Sequence, residues 1–120
     1  MKVVRVQHVS VNCAGELEAT KKFYADLFEA PELPRPVIPG IAGAWLGLGD
    51  AQLHLVDAPP SSSPIDRAAD HWCIEVSDLD AARAELERSG IAYEEGAQGP
   101  VVQIWIHDPA GRVIELQQAR

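Results

Sequence analysis

Four side chains able to hold a divalent cation stand at matched places in this 120-residue sequence: His8 and His54 are 46 positions apart, and His71 and Glu115 are 44 apart. Each sits in a run of alternating character. Leu53 and Leu55 flank His54, Ile114 and Leu116 flank Glu115, Val9 follows His8, and Trp72 and Ile74 lead away from His71. Adjacent side chains of a strand point to opposite faces. If the apolar set packs beneath helices, the four polar residues share the other face, where they can converge on one ion. Imidazole nitrogens and a carboxylate oxygen suit Zn, Ni, Co, Fe or Mn and leave coordination positions for water or substrate. The chemistry expected is therefore that of a catalytic metal centre. Taken singly, each histidine has a plainer reading as a hydrogen-bonded strand residue; it is the matched set of four that favours the metal.

The elements that must position these residues occur twice. Residues 3–12 read as a strand with period-two alternation, and residues 15–29 as a helix whose Leu17, Thr20, Tyr24, Leu27 and Phe28 share one face and which stops by Pro31. "PELPRPVIPG" leaves room only for a short edge strand, because proline cannot donate to a ladder. "GAWLGLG" and "AQLHLVD" then form a hairpin at Gly49-Asp50. "APPSSSPIDRAA" has no periodicity and reads as a linker. The pattern then restarts with a strand from His71 and a helix over 79–89, with Asp78 as N-cap and Gly90 just past its end. A short strand "IAYEE" follows, then "VVQIWIH" and "RVIELQQ", joined by the turn Asp108-Pro109-Ala110-Gly111. Strand, helix and three strands, twice over, predict an α+β fold. The organisation expected is one domain over 1–120, with a module at 1–58, a linker at 59–69 and a module at 70–120.

Composition narrows the partners. The formal net charge is −8 and no Lys/Arg cluster occurs, which argues against nucleic acid. No run approaches the roughly 18–20 apolar residues that span a bilayer, and the N-terminus lacks the apolar region of a secretory signal, so no membrane association and a cytoplasmic location are expected. Cys13 and Cys73 are too few for a disulfide framework and are expected to be reduced packing residues.

"HVSVN", "FYADLF", "QLHLV", "HWCIEVSDLDAARAELERSG" and "DPAGRVIEL", taken together, resemble the vicinal oxygen chelate superfamily over nearly the whole chain. That superfamily comprises glyoxalase I, fosfomycin-resistance proteins, methylmalonyl-CoA epimerase, extradiol dioxygenases and bleomycin-resistance proteins. The resemblance implies two βαβββ modules forming a cupped mixed sheet around one metal, with helices on the outer face. It also implies a homodimer in which modules from two subunits complete each site. His8, His71 and Glu115 match the two-histidine, one-carboxylate set of the metal-dependent members. His54 matches a fourth position that varies, and departs from the glutamate that glyoxalase I carries there.

The resemblance implies a metal-dependent lyase or isomerase of glyoxalase or epimerase type, acting on a small oxygen-chelating substrate. Proton removal beside a carbonyl needs a base within hydrogen-bond reach. Glu115 and Glu75 are the catalytic candidates; Glu75 shares the His71 face by strand parity, with a solvated surface residue as its alternative. Cys73 shares that face too and is expected to pack. Trp45 and Trp105 are expected to fill the core in preference to walling the site, and His107 to lie at the surface. Two other classes remain open. One is an Fe(II) extradiol-type dioxygenase or a thiol transferase, in which His8, His71 and Glu115 form a facial triad and His54 is surplus. The other is a metal-free protein that sequesters a drug or metabolite, as bleomycin-resistance members do.

Overall fold

The computed structural model describes residues 2–59, 65, 71–98 and 100–119. The chain divides into two compact units, Met1–Ser61 and Ser62–Arg120. Apart from residues 59 and 65, the expected linker lies outside the described residues.

The first unit runs β1 (His8–Asn12), α1 (Leu17–Phe28), β2 (Glu32–Leu33), β3 (Gly43–Leu48) and β4 (Ala51–Val56). Its sheet has the order β1-β4-β3-β2, with β1 parallel to β4 and the other pairs antiparallel. Helix α1 lies against β3 and β4. Thr20 and Tyr24 are its buried residues, and beneath them Val11, Ala44, Leu46, Leu53 and Leu55 are almost completely withdrawn from water. Each large aliphatic side chain buried in this way stabilises the fold by about 1.5–3 kcal/mol.

The second unit repeats the plan as β5 (His71–Val76), α2 (Leu79–Arg88), β6 (Tyr93–Gln98), β7 (Val101–His107) and β8 (Val113–Gln118). Its sheet has the order β5-β8-β7-β6, again with one parallel pair, β5 with β8. Helix α2 starts as its sequence dictates: the Asp78 carboxylate accepts from Ala81 N at 2.9 Å. A second free amide, Leu79 N, donates to Gln118 Oε1 at 2.6 Å, which ties the helix start to β8. Gly90, just past the helix, takes φ +67°, a conformation that costs other residues energy. At the β7–β8 turn, buried Asp108 accepts from Ala110 N at 2.9 Å and Arg112 N at 2.8 Å.

The α+β fold with two βαβββ modules is as the sequence predicts, and each module hydrogen-bonds into its own four-stranded mixed sheet. Most boundaries shift by no more than two residues, and two strands shift further. The first strand begins at His8, five residues later than the alternation suggested, because β4 begins at Ala51 and leaves residues 3–6 no partner strand within the sheet. Strand β6 covers Tyr93–Gln98 instead of 91–95, because its pairing with β7 continues to Gln98 opposite Val101.

Candidate functional site

The two modules present the same register on the face turned away from their helices. Ser10 pairs with His54 across β1 and β4, and His54 pairs with Trp45 across β4 and β3. In the second module Cys73 pairs with Glu115, and Glu115 with Trp105, across the equivalent strands. His54 and Glu115 thus hold equivalent positions, as do Trp45 and Trp105. The four expected donors fall as two pairs, one in each module. Among the described residues, no group of three or more His, Cys, Asp or Glu side chains is arranged as a metal-holding cluster.

In the first module the donors stack. The rings of His8 and His54 lie 4.1 Å apart, and the Trp45 indole covers the far side of His54 at 4.3 Å, tilted by only 5°. His54 Nε2 stands 2.9 Å from Gln52 Oε1, and His8 Nδ1 meets Gln7 Oε1. An amide oxygen only accepts, so these contacts put the protons on His54 Nε2 and His8 Nδ1 and leave a lone pair on the other nitrogen of each ring. Burial, then the charges of His8 and Arg35, hold the His54 pKa below the usual histidine value, which favours the neutral imidazole that ligates metals.

In the second module the donors hydrogen-bond. His71 Nε2 donates to Glu115 Oε2 at 2.8 Å. The other carboxylate oxygen accepts from Gln103 Nε2 and from Gln117 Nε2, the latter at 2.6 Å. Glu115 is only 6% exposed. Burial alone would raise its pKa, but the bonds from Gln117, Gln103 and His71 outweigh it and leave Glu115 ionised below its ordinary range. The chemistry suits a cation: a carboxylate oxygen and an imidazole nitrogen, both metal-ligand types, face each other at hydrogen-bond distance.

Glu75 lies on the same face of β5 as His71, opposite Gln117, and is exposed. Cys73 lies between them. Burial first, then the charges of Glu115 and Glu75, push its thiol up to about 11, so at neutral pH it is a protonated thiol and not a nucleophile. The tryptophan expectation holds in part: Trp105 is buried, with 5% exposure, whereas Trp45 is only half-buried. By register Trp45 and Trp105 both lie on the polar face beside His54 and Glu115, not in the layers under α1 and α2. His107 is on that face as well, and its Nε2 is buried rather than at the surface.

Gln7, Gln52, Gln103 and Gln117, which orient the donors, escaped the sequence reading. The available signal was parity: Gln52 and His54, Gln103 and Trp105, and Glu115 and Gln117 are separated by two residues on single strands and must share a face.

Comparison with known proteins agrees with this architecture. A crystal structure of a putative glyoxalase family protein from Bacillus anthracis superimposes with a TM-score of 0.84 at 25% identity, covering 100% of this chain and 98% of that one. TnmS3, an antibiotic binding protein from Streptomyces sp. CB03234, is 28% identical with a TM-score of 0.78, covering 100% and 99%. Lactoylglutathione lyase from Agrobacterium tumefaciens shares the fold at 20% identity and a TM-score of 0.77, covering 99% and 96%. No curated protein sequence matches the chain. The sequence pattern of the Glyoxalase/Bleomycin resistance protein/Dioxygenase superfamily matches residues 5–116, and the chain belongs to that superfamily.

Proposed function

We propose that the protein is a metal-dependent lyase or isomerase of glyoxalase or epimerase type, acting on a small substrate with two neighbouring oxygens. The observation that carries this reading is the treatment of Glu115. A carboxylate with 6% exposure is held ionised by His71, Gln103 and Gln117, an expensive arrangement that a resident cation would explain. His8, His71 and Glu115 would hold a divalent ion (Zn, Ni, Co, Fe or Mn), with His54 as a fourth donor. Such an ion supplies a Lewis acid for negative charge developing on a substrate oxygen.

The chain's own residues divide the remaining work. Gln103 and Gln117 fix the carboxylate, and Gln52 fixes the tautomer of His54. Glu75, exposed and without a hydrogen bond or ion pair among the described residues, is the candidate to carry a proton from the carbon beside a carbonyl. Glu115 is the second candidate. The same reading takes the protein as a cytoplasmic homodimer serving a small-molecule substrate. Among the described residues no helix is long and apolar enough to cross a membrane.

A second reading has its own support. The His8–His54–Trp45 stack offers a flat aromatic surface, and the 28% identical TnmS3 is an antibiotic binding protein. On that reading the chain sequesters a planar ligand without chemistry.

One experiment separates the two. The protein is purified without chelator or histidine tag, and its metals are counted. About one ion per chain, with solvent proton exchange beside a substrate carbonyl, is the expected result. No ion after reconstitution, with tight binding of an aromatic ligand, would favour sequestration. Iron with oxygen uptake on catechols would favour the dioxygenase.

A further inference from the structure

We propose that Arg35 and the apolar rim around it bind the anionic end of the substrate, an organic carboxylate carrying an apolar chain. This deepens the reading above by naming a substrate class, but it rests on other atoms, all within the first module.

Arg35 stands between Pro34 and Pro36 in the segment after β2, where the two proline rings restrict the backbone and leave little entropy to lose on binding. Its guanidinium is drawn in against the sheet. Nη2 donates to Ile41 O at 3.0 Å, and a Cβ on Gly43 would stand 3.2 Å from that nitrogen and 2.2 Å from the Leu55 carbonyl oxygen. The Leu55 carbonyl excludes a side chain at 43, which leaves the space beside the guanidinium open. Arg35 Nε is buried and has no hydrogen-bond partner among the described residues.

Among the described residues the guanidinium also has no counter-ion, in a chain with 18 acidic and only 10 basic residues. Lys21 meets Glu32 at 3.1 Å, Lys22 meets Asp26, and Arg83 meets Asp80 and Glu95; Arg35, like Lys2, Arg5, Arg88 and Arg112, has no carboxylate partner among the described residues. A half-buried cation with an unused donor is favourable ground for an anion, and a guanidinium matches a carboxylate in particular.

The surroundings choose among anions. Arg35 opens onto a cavity of about 940 Å³ walled by Leu17, Leu33, Val37, Ile38 and Ile41. Val37 is 93% exposed and Ile41 47%, so a ligand's apolar body would cover surface now in water. Inorganic phosphate would use only the guanidinium; a carboxylate with an apolar tail would use both. The groove adjoins the donor face, because Gly43 stands two residues before Trp45 on β3, and Trp45 stacks on His54.

The test is calorimetric titration of the chelator-treated protein with hexanoate, hexanamide, acetate and phosphate. Hexanoate should bind at least about tenfold more tightly than the other three. Arg35→Gln should abolish the preference of acid over amide. Val37→Ser combined with Ile41→Ser should abolish the preference of hexanoate over acetate while keeping acid over amide. Circular dichroism checks that each variant folds. Equal binding of hexanoate and hexanamide, phosphate binding as tightly as hexanoate, or discrimination that survives in Arg35→Gln would overturn the proposal. Discrimination in a protein that never takes up metal would leave this inference standing and remove the metal reading; a metal-binding protein without discrimination would do the reverse.

Discussion

His71 and Glu115 bond diagonally. In the parallel register His71 faces Val113 and Glu115 faces Cys73, yet His71 Nε2 reaches Glu115 Oε2 at 2.8 Å. A diagonal reach along neighbouring strands suits long side chains whose ends are steered from elsewhere, and here Gln103 and Gln117 steer the carboxylate from its other oxygen.

That relationship makes Gln103 a positioning residue. Gln103→Leu removes a buried donor from an ionised carboxylate while nearly conserving volume, and should weaken divalent-metal affinity by roughly 10–100-fold, as loss of ligand-orienting partners does. It should also destabilise the metal-free fold by about 1.5–3 kcal/mol, the range for a lost hydrogen bond to a charged group. Metal titration and thermal melting measure the two effects. Wild-type metal affinity in a well-folded Gln103→Leu protein would sink the assignment.

The legibility of the sequence follows the range of the forces involved. Helix α2, its Asp78 cap and Gly90 were readable because caps and glycine conformations are decided within a few residues. The β7–β8 hairpin was readable for the same reason. Donor identities could be listed and matched between the halves, and the shared register of His54 and Glu115 is what that matching required. What escaped depends on partners distant in sequence. Val3, Val4 and Val6 look like strand residues but have no partner strand among the described residues. Gly96 and Ala97 have poor strand propensity but are carried into β6 by its pairing with β7. Size alone placed both tryptophans in the core; Trp105 is buried, but register sets both on the donor face and leaves Trp45 half-exposed. Arg35 carried no local signal at all: its setting depends on Gly43 and Leu55, which lie on two further strands.

Tyr93 provides a pH-dependent test remote from the site. Its hydroxyl donates to Glu87 at 2.8 Å, and that bond first, then desolvation and the charges of Glu87 and Glu95, raise its pKa despite the opposing charge of Arg83. The folded value exceeds the ordinary tyrosine value of about 10. The contribution to stability is therefore complete below that pH and is lost as pH rises through the folded pKa. The near-ultraviolet absorbance of the wild type minus that of Tyr93→Phe should titrate with a midpoint above about 10, and Glu87→Gln should return the midpoint toward it. A wild-type midpoint at or below the ordinary value would refute the bond's role.

The residues before β1 bear on assembly. Val3, Val4 and Val6 are 80%, 90% and 65% exposed, and they lead into β1, the edge strand of its sheet. An apolar run beside an unpaired strand edge is a liability for a lone chain, and a second copy can relieve it by burying the valines in a two-fold interface. Light scattering should return the mass of two chains for the wild type. Replacing all three valines with serine should return the mass of one, with circular dichroism unchanged because no core residue is altered. If the triple variant still runs as a dimer, the contact lies elsewhere; if the wild type is monomeric at micromolar concentration, the valines have some other use, and the expectation that two subunits complete each site loses its footing.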